Sequence, residues 1–534
     1  MSSTDLSEKE KGMLFWASFL ALMAAGVGFV LRGMIPNLWA ESFKISLTEV
    51  GGLAGAALWP IAITMIIFSL LVDKIGYKIS MFFAFLFQAV GVVLTIFAKD
   101  VNSLWWACFC AGLGHGVVEA VINPLCASIY REEKSKWLNI LHASWPAGIV
   151  LGGVAYILLI GTGPSQEELA LGAEPIQWVA TKWIFWINVI PVICYGIMFF
   201  LCNKFPVDER VEAGVSYGDM MKEFGGLGIG LAATFLIYEI LNQFKVDLGE
   251  MKLLICILIG AVLGTITGFI LKSKGKWMFF ILCLIMIPLA TAEIATDGWI
   301  RTLMEPIMGK AGAAWAIVFS AAIMMALRFF AGVPLKYMNP PQLLLLSSVF
   351  SIVGLFALSA TSGVMIFAAF VLYAIGQTFY WPTVLGFVSE QFPKGGAMTL
   401  NTVSAMGLLT VGIFGFPFLG AVQDSFNAGA ITKLEPAIVE TVKENDGKSG
   451  ELAIYSQKDF LGFPYDAINA AELKQHPEVT PERALALDET LKETSQSSLK
   501  VAAVLPAIMA VAFLLIMVYY RSTGGYKPVV LEDK

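Results

Sequence analysis

Residues 112–153 read GLGHGVVEAVINPLCASIYREEKSKWLNILHASWPAGIVLGG. Two apolar segments, each long enough to cross a lipid bilayer, flank a short charged hairpin. The first segment contains Glu119, with His115 one helical turn before it and Asn123 one turn after it. Because an ionisable group at bilayer depth costs about 3 kcal/mol, it persists mainly where it faces a polar cavity. The stretch therefore predicts half of a solute pathway through a membrane.

The composition predicts a polytopic membrane protein. The chain has 534 residues, of which 57% are hydrophobic and 14% are charged, and apolar runs of about 20 residues recur along it. The net charge of -6 comes mostly from an acidic segment at 422–500, and the sequence has no basic stripe, so nucleic acid is not an expected partner. The cysteines fall within or at the ends of apolar segments without paired spacing, which predicts neither disulfide bonds nor a metal site.

The apolar segments predict an all-α membrane protein with fourteen transmembrane helices, because only helices satisfy so much backbone in lipid over runs of this length. Two of the fourteen lie between two sets of six. The predicted divisions are a polar N-terminus at 1–12, a six-helix bundle at 13–203, a linker with two extra transmembrane helices at 204–276, a second six-helix bundle at 277–521 with an insertion at 422–497, and a tail at 522–534.

Lysine and arginine residues predict the orientation of the chain. They collect in the connections at 73–78, 131–136 and 272–276, whereas the connections at 161–181 and 422–497 are acidic. Since positive residues favour the cytoplasmic side, we expect both termini to be cytoplasmic and the insertion to lie outside. The first apolar run is not followed by a small-residue cleavage site, so we expect a retained helix in the cell (inner) membrane.

The segment FSLLVDKIGYK at 68–78 resembles the signature between helices two and three of the major facilitator superfamily, through Asp73, Gly76 and Lys78. A serine and a tyrosine stand where the family pattern has a glycine and usually an arginine. The resemblance implies the major facilitator fold, with Asp73 and Lys78 acting as a gate at the cytoplasmic helix ends. Arg328, in MALRFFAGVPLK, is similar to a degraded second copy of this signature. An ordinary charged turn is the alternative.

A weak internal repeat supports two parallel halves. The stretch GQTFYWPTVLGFVSEQFPKGGAMTLNTV, within 363–421, is similar to residues 112–153. The aligned pairs are Glu119 with Gln377, Pro124 with Pro382, and Asn139 with Asn401. Parallel halves related across the membrane normal form one large class of carriers. Chance similarity between apolar helices remains open as the other explanation.

A closer resemblance rests on GLGHGVVEAVINP, on LNILHASWPAG and on YWPT at 380–383, which are similar to helices four, five and ten of the fucose/galactose–proton symporter branch of the superfamily. In that branch the helix-four glutamate binds sugar hydroxyls and couples to the proton, which the resemblance carries over to Glu119. Asn123 matches the branch as well. His142 and Trp145 stand where the branch commonly has glutamine and often asparagine, so the substrate preference is expected to differ.

Helix one departs from that branch, because it has Arg32 and lacks a carboxylate nearby. Arg32 is suited to bind a carboxylate, sulfonate or phosphate through two parallel hydrogen bonds. It could instead extend to the outer membrane interface or pair with Glu293, Asp297 or Glu41. Glu293 and Asp297 lie four residues apart, on one helix face, and we expect them to line the cavity mouth or to form a salt-bridged gate.

We therefore predict a secondary active transporter, not an enzyme, that couples the uptake of a sugar or sugar derivative to protons by alternating access. No cofactor is expected beyond the proton gradient. The expected partners are the small solute and the lipid bilayer; a monomer is expected, with the oligomeric state left open. The predicted site residues are Glu119 and His115 for proton coupling; Arg32, Asn123, Asn139, His142, Trp145, Glu293, Asp297, Gln377, Trp381 and Asn401 for substrate binding; and Asp73, Lys78 and Arg328 for gating.

Three alternatives follow from the same residues. Arg32 favours a carrier of organic anions or sugar acids. A drug antiporter is less favoured, because Gly152 and Gly153 follow Pro146 too late to match the family's antiporter motif. A membrane sensor that binds a ligand without moving it would have the same pocket.

Overall fold

A computed structural model describes residues 6–43, 47–163, 176–246, 248–446 and 454–531. Within these ranges, twelve helical stretches are long and apolar enough to cross a membrane. In chain order they are α1 Glu8–Gly33, α2 Leu47–Phe97, α3 Val101–Ile129, α4 Arg131–Leu159, α5 Trp178–Leu201, α6 Tyr217–Gln243, α7 Lys252–Leu271, α8 Trp277–Phe329, α9 Pro340–Ala360, α10 Met365–Gln391, α11 Pro393–Leu434 and α12 Pro481–Ser522. The all-α class is confirmed.

The two longest of these stretches, α2 and α8, are each broken by a glycine in the left-handed region of backbone space, where a side chain would be strained. Gly76 has a φ of 83° within α2, and Gly309 has a φ of 73° within α8. Fourteen spans follow if each broken stretch crosses the membrane twice. The fourteen-helix count, with its two extra helices, therefore stays a prediction.

The chain folds into two helical bundles. In the first bundle, α1 packs against α4 and α5, and α2 packs against α3. The backbones of α1 and α4 touch, because a Cβ atom at Gly26 would lie 2.4 Å from the Trp145 carbonyl oxygen. In the second bundle, α9 packs against α10 and α12, and α8 packs against α10 and α11. The bundles meet where α2 and α3 contact α11, and where α4 contacts α8 and α10.

Helices α8 and α11 each contain one π-helical turn, Thr291–Ala295 and Val411–Gly415. The two turns pack closely, since a Cβ atom at Gly415 would lie 2.7 Å from the Cβ atom of Ala295. Such turns insert an extra residue into a helix and occur frequently at functional sites. The turn in α8 carries Glu293, which it directs into the interior of the second bundle.

The insertion is a small folded unit between α11 and α12. Helix Pro436–Asp446, strands β1 Tyr455–Phe460 and β2 Phe463–Ile468, and helix Ala470–Lys474 form it. The strands pair antiparallel, with Tyr455 opposite Ile468. The unit has its own apolar core, which includes Val439, Ile468 and Leu487. Shorter helices at Pro36–Phe43, Glu209–Glu212 and Gly332–Tyr337 connect the longer ones.

Candidate functional site

A chain of polar side chains runs through the first bundle. The residues His115, Glu119 and Asn123 recur one turn apart, so they share one face of α3. Asn123 donates through Nδ2 to Glu119 Oε2 at 2.7 Å, and its Oδ1 lies 2.9 Å from His142 Nε2. His115 Nε2 lies 3.8 Å from the other oxygen of Glu119. All four residues are buried, so the structure brings together four of the predicted site residues.

The Trp145 side chain packs against this group of polar side chains. Its ring stacks on the His115 ring at a centroid distance of 5.2 Å and an interplanar angle of 21°, and Phe29 contacts it at 5.1 Å. One face of the His115 ring is therefore in contact with an aromatic surface. Trp145 therefore lies beside the predicted site residue His115, and its role in substrate binding stays a prediction.

Arg328 and Glu293 form a buried ion pair in the second bundle. Arg328 donates through Nη2 to Glu293 Oε1 at 2.6 Å and through Nε to the Thr378 carbonyl oxygen at 2.6 Å. The other oxygen of Glu293 accepts from the Trp381 backbone N–H at 2.9 Å. Both carboxylate oxygens are thus occupied, which is the condition for a buried ion pair to repay its desolvation. The partner of Glu293 is Arg328 rather than Arg32.

Gln377, the repeat counterpart of Glu119, bonds to its own set of partners. Its Nε2 donates to Asp297 Oδ1 at 2.9 Å and to Ser320 Oγ at 3.1 Å. Its Oε1 is buried without a hydrogen-bond partner among the described residues. An unpaired buried acceptor is costly unless a ligand or water satisfies it. Gln377 Oε1 is therefore an acceptor that a solute hydroxyl or a water molecule could satisfy.

Three predicted site residues join the two bundles. Arg328 donates through Nη1 to the His142 carbonyl oxygen at 2.9 Å. Asn139 donates to Thr383 Oγ1 at 3.2 Å. Asn401 donates to Ser69 Oγ and to the Ala120 carbonyl oxygen, both at 2.9 Å. In this conformation Asn139 and Asn401 therefore hold the halves together, next to the residues that surround Glu119.

A second set of charges lies at the side where α1 begins and α12 ends, which we call the terminal side. Asp73 pairs with Arg210, and Lys78 donates to the Cys202 carbonyl oxygen at 2.9 Å. The predicted gating pair thus has partners in the segment after α5, not in each other. The same segment supplies two further ion pairs, Glu209 with Lys134 at 2.5 Å and Glu212 with Arg131 at 2.5 Å.

Sequence reasoning missed this segment. We name residues 204–216 the linker clamp, because it also contacts the second bundle: a Cβ atom at Gly396 would lie 3.2 Å from Arg210 Nε and 3.3 Å from Asp208 Oδ1. Burial, together with the facing carboxylate of Asp73, raises the pKa of Asp208 to about 6. The alternating charges of the segment DERVE were the signal that could have predicted ion pairs to the basic hairpin at 131–136.

Arg32 lies apart from these networks, near the end of α1. Arg32 forms no hydrogen bond or ion pair with another described residue. The side chain of Glu41, one of its predicted partners, lies outside the described part of the structure. A Cβ atom at Gly28 would lie 3.3 Å from both terminal nitrogens of Arg32 and 3.1 Å from Asn188 Nδ2. Arg32 and Asn188 therefore flank one position with hydrogen-bond donors.

The described residues contain no group of three or more His, Cys, Asp or Glu side chains placed to hold a metal ion. Their buried polar groups are amides, carboxylates, imidazoles and guanidinium groups in two facing bundles. Such groups can bind hydroxyls and exchange protons. This is the chemistry of a solute site at an interface between two halves.

Sequence comparison assigns the family. The family model of the Major Facilitator Superfamily matches residues 14–417. The chain belongs to this superfamily of membrane transporters and is a multi-pass membrane protein. Protein TsgA homolog of Buchnera aphidicola is 26% identical over 201 residues, 37% of this chain and 47% of that protein. A gentisate transporter of Corynebacterium glutamicum is 24% identical over 189 residues, 35% of this chain and 39% of that protein. The chain thus spans less than half the length of these two relatives.

Solved structures agree with the family. The E. coli fucose:proton symporter FucP superposes with a TM-score of 0.56 at 13% identity, covering 95% of this chain and 98% of that one. A bacterial homolog of the human lysosomal transporter Spinster gives 0.58 at 14% identity, covering 98% and 100%. The proton:xylose symporter XylE gives 0.58 at 11% identity, covering 96% of each chain. At these identities the likeness shows the fold alone, and the predicted major facilitator fold is confirmed.

Proposed function

We propose that this transporter couples the movement of a small polar solute, of the sugar class, to protons, with Glu119 as the acid that exchanges the proton. The observation that carries the proposal is the contact set of Glu119: a buried carboxylate held by an amide and an imidazole, without an arginine or lysine partner among the described residues. Such an acid can take up a proton without leaving a buried cation unpaired.

The position of Glu119 links proton exchange to movement of the halves. The carbonyl oxygen of Ala120, the next residue, accepts a hydrogen bond from Asn401 across the seam. Asn123, which holds Glu119, is bonded to His142, whose carbonyl oxygen accepts from Arg328 of the other half. Two side chains, Asn123 and His142, therefore connect Glu119 to a hydrogen bond that breaks when the halves separate.

Two features support a sugar as the solute. The polar side chains around the seam are mostly uncharged donors and acceptors, which suit hydroxyl groups, and Trp145 and Trp381 supply the flat apolar faces that sugar rings contact. Two structural neighbours are described as fucose:proton and proton:xylose symporters. We place the protein in the cell (inner) membrane with both termini cytoplasmic, because positive connections collect at the terminal side.

Proteoliposomes loaded with labelled sugar test the proposal. In the Glu119→Gln variant, we expect accumulation driven by an imposed pH gradient to disappear, while exchange of internal for external sugar continues, because the solute contacts remain and only the proton is lost. Glu239→Gln is the matched control: Glu239 is also buried, but its partner is Gln243, in α6. Gradient-driven uptake by Glu119→Gln at the wild-type level would rule out the proton role.

A second candidate function is transport of an organic anion, and Arg32 favours it. Its donors and those of Asn188 flank the position beside Gly28. One relative is named a gentisate transporter, which points to a carboxylate cargo. Arg32→Gln should abolish stabilisation of the protein by aromatic acids and sugar acids in a thermal-shift screen and leave stabilisation by neutral sugars unchanged. Equal loss for both ligand classes would remove this candidate.

A further inference from the structure

A cavity of about 910 Å³ lies outside the seam between the bundles, beside helices α6 and α7. Phe280 of α8 closes one side of it. We call it the α6–α7 groove. Its lining includes Gly226 of α6, Ile257, Ala261, Gly264 and Phe269 of α7, and Lys272 and Lys274. Its walls are thus mainly apolar, with two lysines at one end.

The groove lies beside a close contact between glycines of α6 and α7. The backbones of α6 and α7 touch, because a Cβ atom at Gly226 would lie 2.4 Å from the Gly264 carbonyl oxygen and one at Gly264 2.5 Å from the Gly226 carbonyl oxygen. No side chain extends from either glycine into the space alongside this contact. The space remains open towards the surface, since Ile257 is 46% and Phe269 79% exposed.

The connection after α7 is fixed at the mouth of the groove. The Gly226 N–H donates to the Ser273 carbonyl oxygen at 3.1 Å, and the Leu227 N–H donates to the Lys274 carbonyl oxygen at 3.0 Å. These bonds hold Lys272 and Lys274 on the end of α6 that follows the break at Gly225. The backbone that carries the two lysines is therefore held in place by hydrogen bonds to α6.

The two lysines at the mouth differ from their neighbours in charge pairing. Lys276 lies 3.8 Å from Glu223, and Lys222 lies 2.9 Å from Asp219. Lys272 and Lys274 are exposed and form no ion pair with a described residue; Lys274 Nζ lies 5.4 Å from the Trp277 ring centre. The mouth therefore carries two positive charges that no acidic side chain of the described chain offsets.

We propose that the α6–α7 groove binds an anionic phospholipid, with an acyl chain against the glycine-lined wall and the phosphate at Lys272 and Lys274. An apolar groove that opens at the surface of a membrane-spanning helix pair is in contact with acyl chains. α7 is long enough, at about 30 Å for its 20 residues, for the lysines to reach headgroup level. Basic residues at that level attract anionic headgroups with about 1 kcal/mol each. This site is independent of the proposed transport cycle.

A lipid titration of the purified full-length protein in detergent tests the site. Short-chain phosphatidylglycerol is expected to bind more tightly than phosphatidylcholine of the same chain length. The double variant Lys272→Gln, Lys274→Gln should weaken phosphatidylglycerol binding about 30-fold and leave phosphatidylcholine binding unchanged, which follows from about fivefold for each lysine. Ala261→Phe, which fills the groove from an exposed position, should weaken both lipids.

Lys245→Gln is the matched control, because Lys245 is an exposed lysine at the opposite end of α6. It should leave the dissociation constants of both lipids unchanged. An equal loss of phosphatidylglycerol binding in Lys245→Gln would indicate a general surface charge effect and overturn the proposal. Competition by inorganic phosphate at the same concentration as the lipid would also overturn it, since the groove would then hold an ion rather than a lipid.

Discussion

Glu119 and Glu293 are two acids with nearly the same burial and different partners. Glu119 is 5% exposed and Glu293 4%. Glu119 is bonded to the Asn123 amide and lies near the His115 imidazole, whereas Glu293 is bonded to the Arg328 guanidinium and a backbone N–H. An arginine is always charged, so the Glu293 pair carries its negative charge as a fixed part of the structure.

The different partners of Glu119 and Glu293 indicate that the two halves have different functions. An acid held by neutral groups can change its charge at a small structural cost, because no cation is left alone when it is protonated. An acid held by arginine cannot. We infer that the second bundle supplies a rigid reference built on Glu293 and Arg328, and that the first bundle supplies the acid that responds to protons. Arg328 joins them, because its third contact is the His142 carbonyl oxygen.

The largest effect that tests this comparison is expected from Arg328→Gln. The change leaves Glu293 buried without a cation and breaks the bond to His142. Removing one partner of a buried ion pair costs about 3–5 kcal/mol. We expect the free energy of unfolding, measured by denaturant titration in detergent, to fall by this amount and sugar exchange to be lost.

Two variants make the Arg328 result specific. Arg301→Gln removes another bond between the halves, from Arg301 Nη1 to the Met34 carbonyl oxygen at 3.1 Å, without orphaning an acid, and should cost about 1 kcal/mol. The double variant Arg328→Gln, Glu293→Gln should recover much of the stability, because no charge is then left unpaired. If the double variant is as unstable as Arg328→Gln alone, the unpaired carboxylate is not the cause.

A smaller effect is expected at His142, and it distinguishes positioning from proton transfer. Because Asn123 directs its Nδ2 to Glu119, its Oδ1 accepts a hydrogen bond from His142 Nε2. His142→Gln retains a donor and should keep the exchange rate within about threefold, whereas His142→Leu leaves Oδ1 unpaired and should lower it about tenfold. The measurement is labelled sugar exchange in proteoliposomes.

The pH profile of these variants supplies the second readout. A residue that only positions Asn123 should leave the pH dependence of gradient-driven uptake unchanged in His142→Gln, even where the rate falls. A displaced pH profile in His142→Gln would place His142 on the proton path and weaken the assignment of that role to Glu119 alone.

Much of the fold could be predicted from the sequence, because membrane-spanning helices can be recognised by their length and apolar composition. The polar residues of 112–153 were recognised for the same reason: a carboxylate in an apolar run has few explanations. The π-helical turn at Thr291–Ala295 was not predicted, since an inserted residue leaves the hydrophobic pattern almost unchanged. The insertion was predicted by its bounds, 422–497, but its hairpin at 455–468 was not.

Pairings between distant residues were the part that sequence could not supply. Arg328 was predicted as a gate from its likeness to the signature of 68–78, yet it pairs with Glu293. Asp73 was predicted as part of a gate, and it pairs with Arg210 in the linker clamp. Both pairings join segments far apart in the chain, and periodicity contains no information on which of several arginines reaches a given acid. The predicted roles of these residues stay predictions.

The smallest effect extends the comparison to an acid outside the membrane. Asp208 of the linker clamp is buried, and burial with the facing Asp73 raises its pKa from 3.8 to about 6. A raised pKa favours the protonated acid in the folded state, so this contribution is fully present below pH 3.8 and is lost as the pH rises through about 6. We expect the thermal midpoint in detergent to fall between these pH values and Asp208→Asn to remove that part of the slope.

Asp100→Asn provides a control of opposite sign for this prediction. Hydrogen bonds from Ser103 lower the pKa of Asp100, so its contribution to stability is present at neutral pH and is lost as the pH falls. Asp100→Asn should therefore reduce the loss of stability that occurs as the pH falls, whereas Asp208→Asn should reduce a gain of stability over the same change in pH. Because Asp208 lies in the linker clamp and Asp100 caps α3, only Asp208→Asn should also change the pH dependence of sugar exchange. If Asp208→Asn leaves the slope between pH 3.8 and about 6 intact, the clamp does not respond to protons through this acid.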